Sequence, residues 1–95
     1  MTKLHAQVQV KNLMGMHTRP ATELVKLLQR FRSNVSLTYK KETVNARSIL
    51  GILMLAMPRK AKVKLDVEGE DAELVMEKLI EAFDKGFGDD CGVLP

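Results

Sequence analysis

Lys62-Val63-Lys64-Leu65-Asp66-Val67 alternates polar and apolar residues without a break. This is the two-residue period of a β-strand that buries one face and leaves the other in water. Gly69 closes the strand. Ala72, Val75, Met76, Leu79, Ile80 and Phe83 then recur at three- and four-residue steps, the mark of an amphipathic helix, with Glu70 and Asp71 near its positive end. A strand that needs cover on one side, followed directly by a helix with one apolar stripe, describes a two-layer packing.

The same alternation recurs toward the N-terminus. Leu4, Ala6, Val8 and Val10 alternate with His5, Gln7 and Gln9, and Val35, Leu37 and Tyr39 alternate with Ser36, Thr38 and Lys40. After a polar turn at Lys41-Glu42, a short strand through Val44 can pair back as a hairpin, and Asn45 ends it. Pro20 has a fixed φ and no N–H to lose, so it belongs in the first turn of a helix. Ala21, Leu24, Leu28 and Phe31, with Val25 beside them, form one stripe, and the helix is expected to run to Arg32. A short, very apolar helix is expected between Ile49 and Met57. The order is strand, helix, strand, strand, helix, strand, helix. Because each strand needs cover on only one face, the fold class is α+β: an open-faced sandwich with a four-stranded antiparallel sheet and three helices on one side. Alternation alone leaves the strand order open.

With 95 residues, 45% of them hydrophobic and 28% charged, the chain fits one modest core. The domain is placed at residues 1–88, followed by a flexible tail at 89–95, with the chain from Gly86 onward already loosely held. The run Ile49–Met57 is too short to cross a bilayer, and Met1-Thr2-Lys3-Leu4-His5 lacks the apolar region of a signal peptide, so no membrane insertion and a cytoplasmic location are expected. Cys91 is the only cysteine, which rules out an internal disulfide. His5, His17 and Cys91 lack metal-ligand spacing, and nothing calls for a cofactor. The net charge of +3 suits an acidic partner. Aromatic content of 4% leaves little for base stacking, which weakens a reading as a small basic nucleic-acid-binding domain.

The chemistry concentrates in Gly15-Met16-His17-Thr18-Arg19-Pro20-Ala21, which puts an imidazole just ahead of a helix and a guanidinium beside it. The N–H groups and positive field of a helix start attract an anion and disfavour protonation of a nearby imidazole. A neutral imidazole keeps a lone pair and can attack phosphorus, and Arg19 and the helix amides would then meet the phosphoryl oxygens. Gly15 allows the preceding turn backbone angles closed to other residues.

This seven-residue string resembles the phosphorylation-site signature of HPr, the histidine-containing phosphocarrier family of the bacterial phosphoenolpyruvate-dependent sugar phosphotransferase system. A second string, Thr43-Val44-Asn45-Ala46-Arg47-Ser48-Ile49-Leu50-Gly51-Ile52-Leu53, resembles the regulatory-serine signature of the same family. The likeness runs from about Leu4 to Phe83. It implies a sheet ordered first, fourth, second, third strand. It also implies that His17 takes a phosphoryl group on Nδ1 from phosphorylated enzyme I and hands it to enzyme IIA domains, with Arg19 assisting, as a relay rather than a turnover enzyme. A monomer is expected.

Arg19, Lys26 and Arg30 share a narrow sector of the first helix opposite its apolar stripe, a basic edge leading from His17 toward acidic partners. In the short helix, Ile52 and Leu55 are assigned to the core. The resemblance implies that Ile49, Leu50 and Leu53 face outward as the dry centre of a docking surface. Ser48 should be an N-cap, and by resemblance it is a regulatory phosphorylation site for an HPr serine kinase/phosphorylase. An alternative is a regulatory module that acts mainly through Ser48 and binding. Thr18 stands where the family usually has alanine, and its hydroxyl could cap the helix or contact the phosphate. Ala56 and Met57-Pro58-Arg59-Lys60 replace a segment that is usually glycine-rich, so a stiffer, more basic loop is expected.

Overall fold

Lys62–Gly69 becomes an inner strand of the sheet. In the computed structural model, which describes residues 2–88, the elements are β1 (Thr2–Gln9), α1 (Thr18–Leu28), β2 (Asn34–Tyr39), β3 (Glu42–Asn45), α2 (Ile49–Met54), β4 (Lys62–Gly69) and α3 (Ala72–Asp84), with a final 3-10 turn at Gly86–Gly88. The sheet order is β1-β4-β2-β3, and every pairing is antiparallel. This is the order that the family resemblance implies.

The register explains the layer. Ala6 lies opposite Leu65, Leu65 opposite Leu37 and Leu37 opposite Val44, so one row of apolar side chains crosses all four strands. Leu4, Val67 and Val35 form a second row. Val63, Leu65, Val67 and Leu37 are fully buried together with Leu24, Leu28, Ile52, Leu79 and Phe83 from the helices. Each such side chain contributes about 1.5–3 kcal/mol relative to exposure. A one-residue slip of any strand would turn its row toward water, which is why alternation specifies the pairing so strongly.

Three expected boundaries move. First, α1 ends at Leu28, not at Arg32. The amides of Arg30 and Phe31 bond back only three residues, to the carbonyls of Leu27 and Leu28, so the chain tightens into a turn. Phe31 continued the apolar period because it is half-buried against the core from that turn, without being helical. The segment is stitched from both sides. The Arg47 guanidinium donates to the carbonyls of Leu28, Phe31 and Ser33 at 2.7, 2.9 and 2.9 Å. Asp71 accepts from the Ser33 hydroxyl and from the amides of Arg32 and Ser33. The Ser33 hydroxyl, then the Arg32 amide, hold the Asp71 carboxyl below the usual carboxylate range. A depressed carboxylate stabilises the fold above its ordinary pKa, and the benefit fades as acidification protonates it.

Second, Gly86–Gly88 is packed onto the domain, not loosely held. Phe87 is buried and packs edge-on against Phe83, with ring centroids 4.8 Å apart. The Asn12 side-chain amide donates to the Gly86 carbonyl at 2.9 Å. The expected tail at 89–95, with Cys91, lies outside the described residues. The short helix also stops at Met54, and Met57 is buried in the loop beyond it. No helix among the described residues is long and apolar enough to cross a membrane.

Candidate functional site

The segment before His17 is held by the chain that follows α2. The Val10 amide donates to the Ala61 carbonyl at 2.9 Å, the Lys60 amide to the Val10 carbonyl at 2.7 Å, and the Met16 amide to the Met57 carbonyl at 2.9 Å. Gly15 sits at φ +72, and a Cβ there would collide with the Met57 carbonyl oxygen. Glycine is therefore required twice over, by backbone angle and by close approach. Met16 is buried, anchoring the residue directly before the imidazole in the core. In the facing loop, Ala56 and Lys60 adopt positive φ (50 and 72) without being glycine, so the proline-bearing segment keeps its turns at some backbone cost.

From this anchored loop His17 emerges half-exposed as the N-cap of α1, with extended backbone angles. Its carbonyl accepts the Ala21 amide at 3.1 Å, while its side chain makes no cap bond to the helix. Thr18 and Arg19 are the first two helical residues and are exposed, and Pro20 follows, buried, in the same turn. No acidic residue occupies the first turn, so nothing on the helix itself neutralises its positive end there. His17, Thr18, Arg19, Thr22 and Glu23 line one surface depression. An imidazole, a guanidinium and a helix start that share one depression can bind an anionic group.

The outlying residues fall less simply. Thr18 does not cap the helix: it lies inside the first turn, and its carbonyl accepts the Thr22 hydroxyl at 2.8 Å. Lys26 is exposed but pairs with Glu23 at 3.5 Å, and Arg30 lies in the turn beyond α1, where helical spacing no longer sets its direction. Ser48 is the N-cap of α2 and its hydroxyl accepts the Gly51 amide at 3.0 Å, as its position suggested. Ile52 and Leu55 are buried as expected. Ile49 and Leu50 face outward, but Leu53 is half-buried against the core. Met54, 72% exposed, takes the outer position instead. It lies one turn after Leu50 and so shares its face, a relation that i, i+4 spacing alone could have exposed. Leu13 and Met14 add two exposed apolar side chains in the loop before His17.

An open-faced sandwich that presents one imidazole at a helix start, beside an arginine, defines the class of small histidine-containing phosphocarrier domains. Residues 4–85 match the family model described as the PTS HPr component phosphorylation site. The chain belongs to the HPr family of the phosphotransferase system. The phosphocarrier protein HPr of Chlamydia trachomatis serovar D is 41% identical over 87 residues, covering 92% of this chain and 80% of that protein. The crystal structure of HPr-C-His from Thermoanaerobacter tengcongensis superposes with a TM-score of 0.86 at 32% identity, covering 90% of this chain and 97% of that one. An HPr dimer from the same organism is also similar, with a TM-score of 0.72 and 34% identity over 86% of this chain and 94% of that one.

Proposed function

We propose that His17 accepts a phosphoryl group from phosphorylated enzyme I, itself charged by phosphoenolpyruvate, and passes it to a histidine of an enzyme IIA domain. The observation that carries this reading is the placement of His17. Its backbone caps α1, its side chain is half-exposed at the helix start, and Arg19 lines the same depression. In the forward step the Nδ1 lone pair forms a bond to phosphorus while the bond from phosphorus to the donor breaks. The reverse exchange, with an acceptor imidazole as nucleophile, returns His17 to its starting form. Arg19 pairs with the phosphoryl oxygens, and the shallow setting keeps that hold weak enough for onward transfer.

Ile49 and Leu50, with the partly covered Leu53, form the dry centre of the docking surface, and Thr18, Lys26 and Arg30 form its polar rim, the last two carrying its positive charge. The carrier works in the cytoplasm as a monomer, with all four strands supplied by one chain. The test is direct. Incubation with phosphoenolpyruvate and enzyme I should give an acid-labile phosphohistidine resonance in phosphorus NMR, and its absence would overturn the carrier reading.

Ser48 is the proposed target of an HPr serine kinase/phosphorylase. A phosphate there would sit at the positive end of α2, leaving the fold intact while adding negative charge beside Ile49 and Leu50. Aspartate is also a good N-cap, so Ser48→Asp separates charge from unfolding. Phosphoryl uptake from enzyme I should slow by about tenfold or more, the scale set by like charge on a docking face. An unchanged rate in a normally folded variant would remove Ser48 from the control of transfer.

A further inference from the structure

The basic edge of α1 is interrupted. Glu23 lies four residues after Arg19, hence on the same side of the helix one turn further on, and it lines the depression that holds His17 and Arg19. Its carboxylate is 3.5 Å from the Lys26 ammonium, and both groups are well exposed, so solvent screens their attraction and the pair does not cancel the Glu23 charge as seen from the depression. A carboxylate beside an anion site opposes the anion. A docking face for acidic partners gains nothing from it either.

We infer that Glu23 tunes the phosphoryl site: its charge opposes the phosphoryl group on His17 and raises the tendency of that group to leave. The inference rests on His17 carrying phosphate, and it adds the residue that balances Arg19. A phosphoryl group of nearly two negative charges is attracted by the guanidinium and repelled by Glu23. The group that arrives is therefore held less tightly than Arg19 and the helix start alone would hold it. Glu23 is a positioning residue of electrostatic kind and takes no part in bond making. In an open, water-filled depression its effect corresponds to about a two- to fivefold change in phosphoryl partition at low salt, shrinking as ionic strength rises.

A competition between wild type and Glu23→Gln tests this without relying on absolute rates. The two forms, one labelled with nitrogen-15 so that mass spectrometry separates them, are mixed in equal amounts with catalytic enzyme I and limiting phosphoenolpyruvate until exchange is complete. E23Q should carry about two to five phosphoryl groups for each one on wild type at low salt, approaching equal shares at high salt. Glu68→Gln, at the far end of β4 from the site, makes the same charge change and should share equally with wild type. Equal sharing by E23Q at low salt, or the same bias in E68Q, would overturn the role of Glu23 alone. If wild type takes no phosphoryl group on His17, whether from enzyme I or from phosphoramidate, the carrier reading falls and this inference falls with it.

Discussion

His17→Ala should abolish acid-labile phosphorylation while leaving the domain folded. The only imidazole at the helix start is then gone, and the other histidine, His5, lies on β1, where its ring bonds to Asp66 on the open face of the sheet. The structural cost should be small. The His17 side chain does not cap α1, and the contacts that fix the loop run through the Met16 and Gly15 backbones and the buried Met16 side chain. Unfolding free energy should therefore change by less than about 1 kcal/mol, the range of substitutions outside the core. Arg19→Ala should keep the label but reduce uptake by about 10- to 100-fold, matching the 1.5–3 kcal/mol of hydrogen bonds to a charged group. Radiolabelling from phosphoenolpyruvate through enzyme I, with thermal melts in parallel, measures both. Persistent acid-labile label on folded His17→Ala would move the phosphoryl acceptor elsewhere.

Much of this was legible because it repeats. Val63, Leu65 and Val67 in β4 could not be buried together on one face unless the strand alternated, and the partner rows from β1, β2 and β3 alternate in step. The local pieces of the site were equally open to reading. Pro20 marks the first turn, His17 precedes it and Ser48 precedes the short helix. What escaped depends on contacts between distant segments. Phe31 kept the apolar period but belongs to a turn, because periodicity reports burial and not backbone hydrogen bonding. Phe87 follows Gly86 in a stretch whose sequence suggests a loose end, yet it buries itself against Phe83 after a single turn of positive φ. Leu53 turns partly inward and Met54 outward because a helix of six residues is oriented by its neighbours α1 and β3 more than by its own nearly uniform apolarity. Glu23 was visible in the sequence, but a carboxylate that lines the same depression as His17 and Arg19 is distinguishable from any other solvated charge only when the depression itself is seen.

Arg47 is the plainest residue of the second kind, and Arg47→Ala should cost about 3 kcal/mol of stability, a large share of the 5–15 kcal/mol typical of a small domain. In sequence it is one more basic residue before Ser48. In the fold, two of its guanidinium nitrogens donate to three carbonyls, those of Leu28, Phe31 and Ser33, from the last residue of α1 to the residue before β2. Its own amide is tied to the Asn45 side chain at 2.8 Å, so the guanidinium is aimed by β3 at the end of α1. Removal would leave the Phe31 and Ser33 carbonyls facing a partly buried gap, and Ser33 is fully buried, while the Leu28 carbonyl would keep only the Phe31 amide. Each hydrogen bond to a charged donor contributes about 1.5–3 kcal/mol, and shared water recovers part of the loss. For a domain of this size the midpoint of thermal unfolding should fall by roughly 12–24 °C. Arg47→Lys should recover less than half, since an ammonium lacks the planar fork that reaches three carbonyls at once. Added salt should change the difference little, because the partners are backbone dipoles and not exposed carboxylates. A loss below about 1 kcal/mol in denaturant titrations, or full recovery by lysine, would show that the α1–β2 junction holds without this bond set.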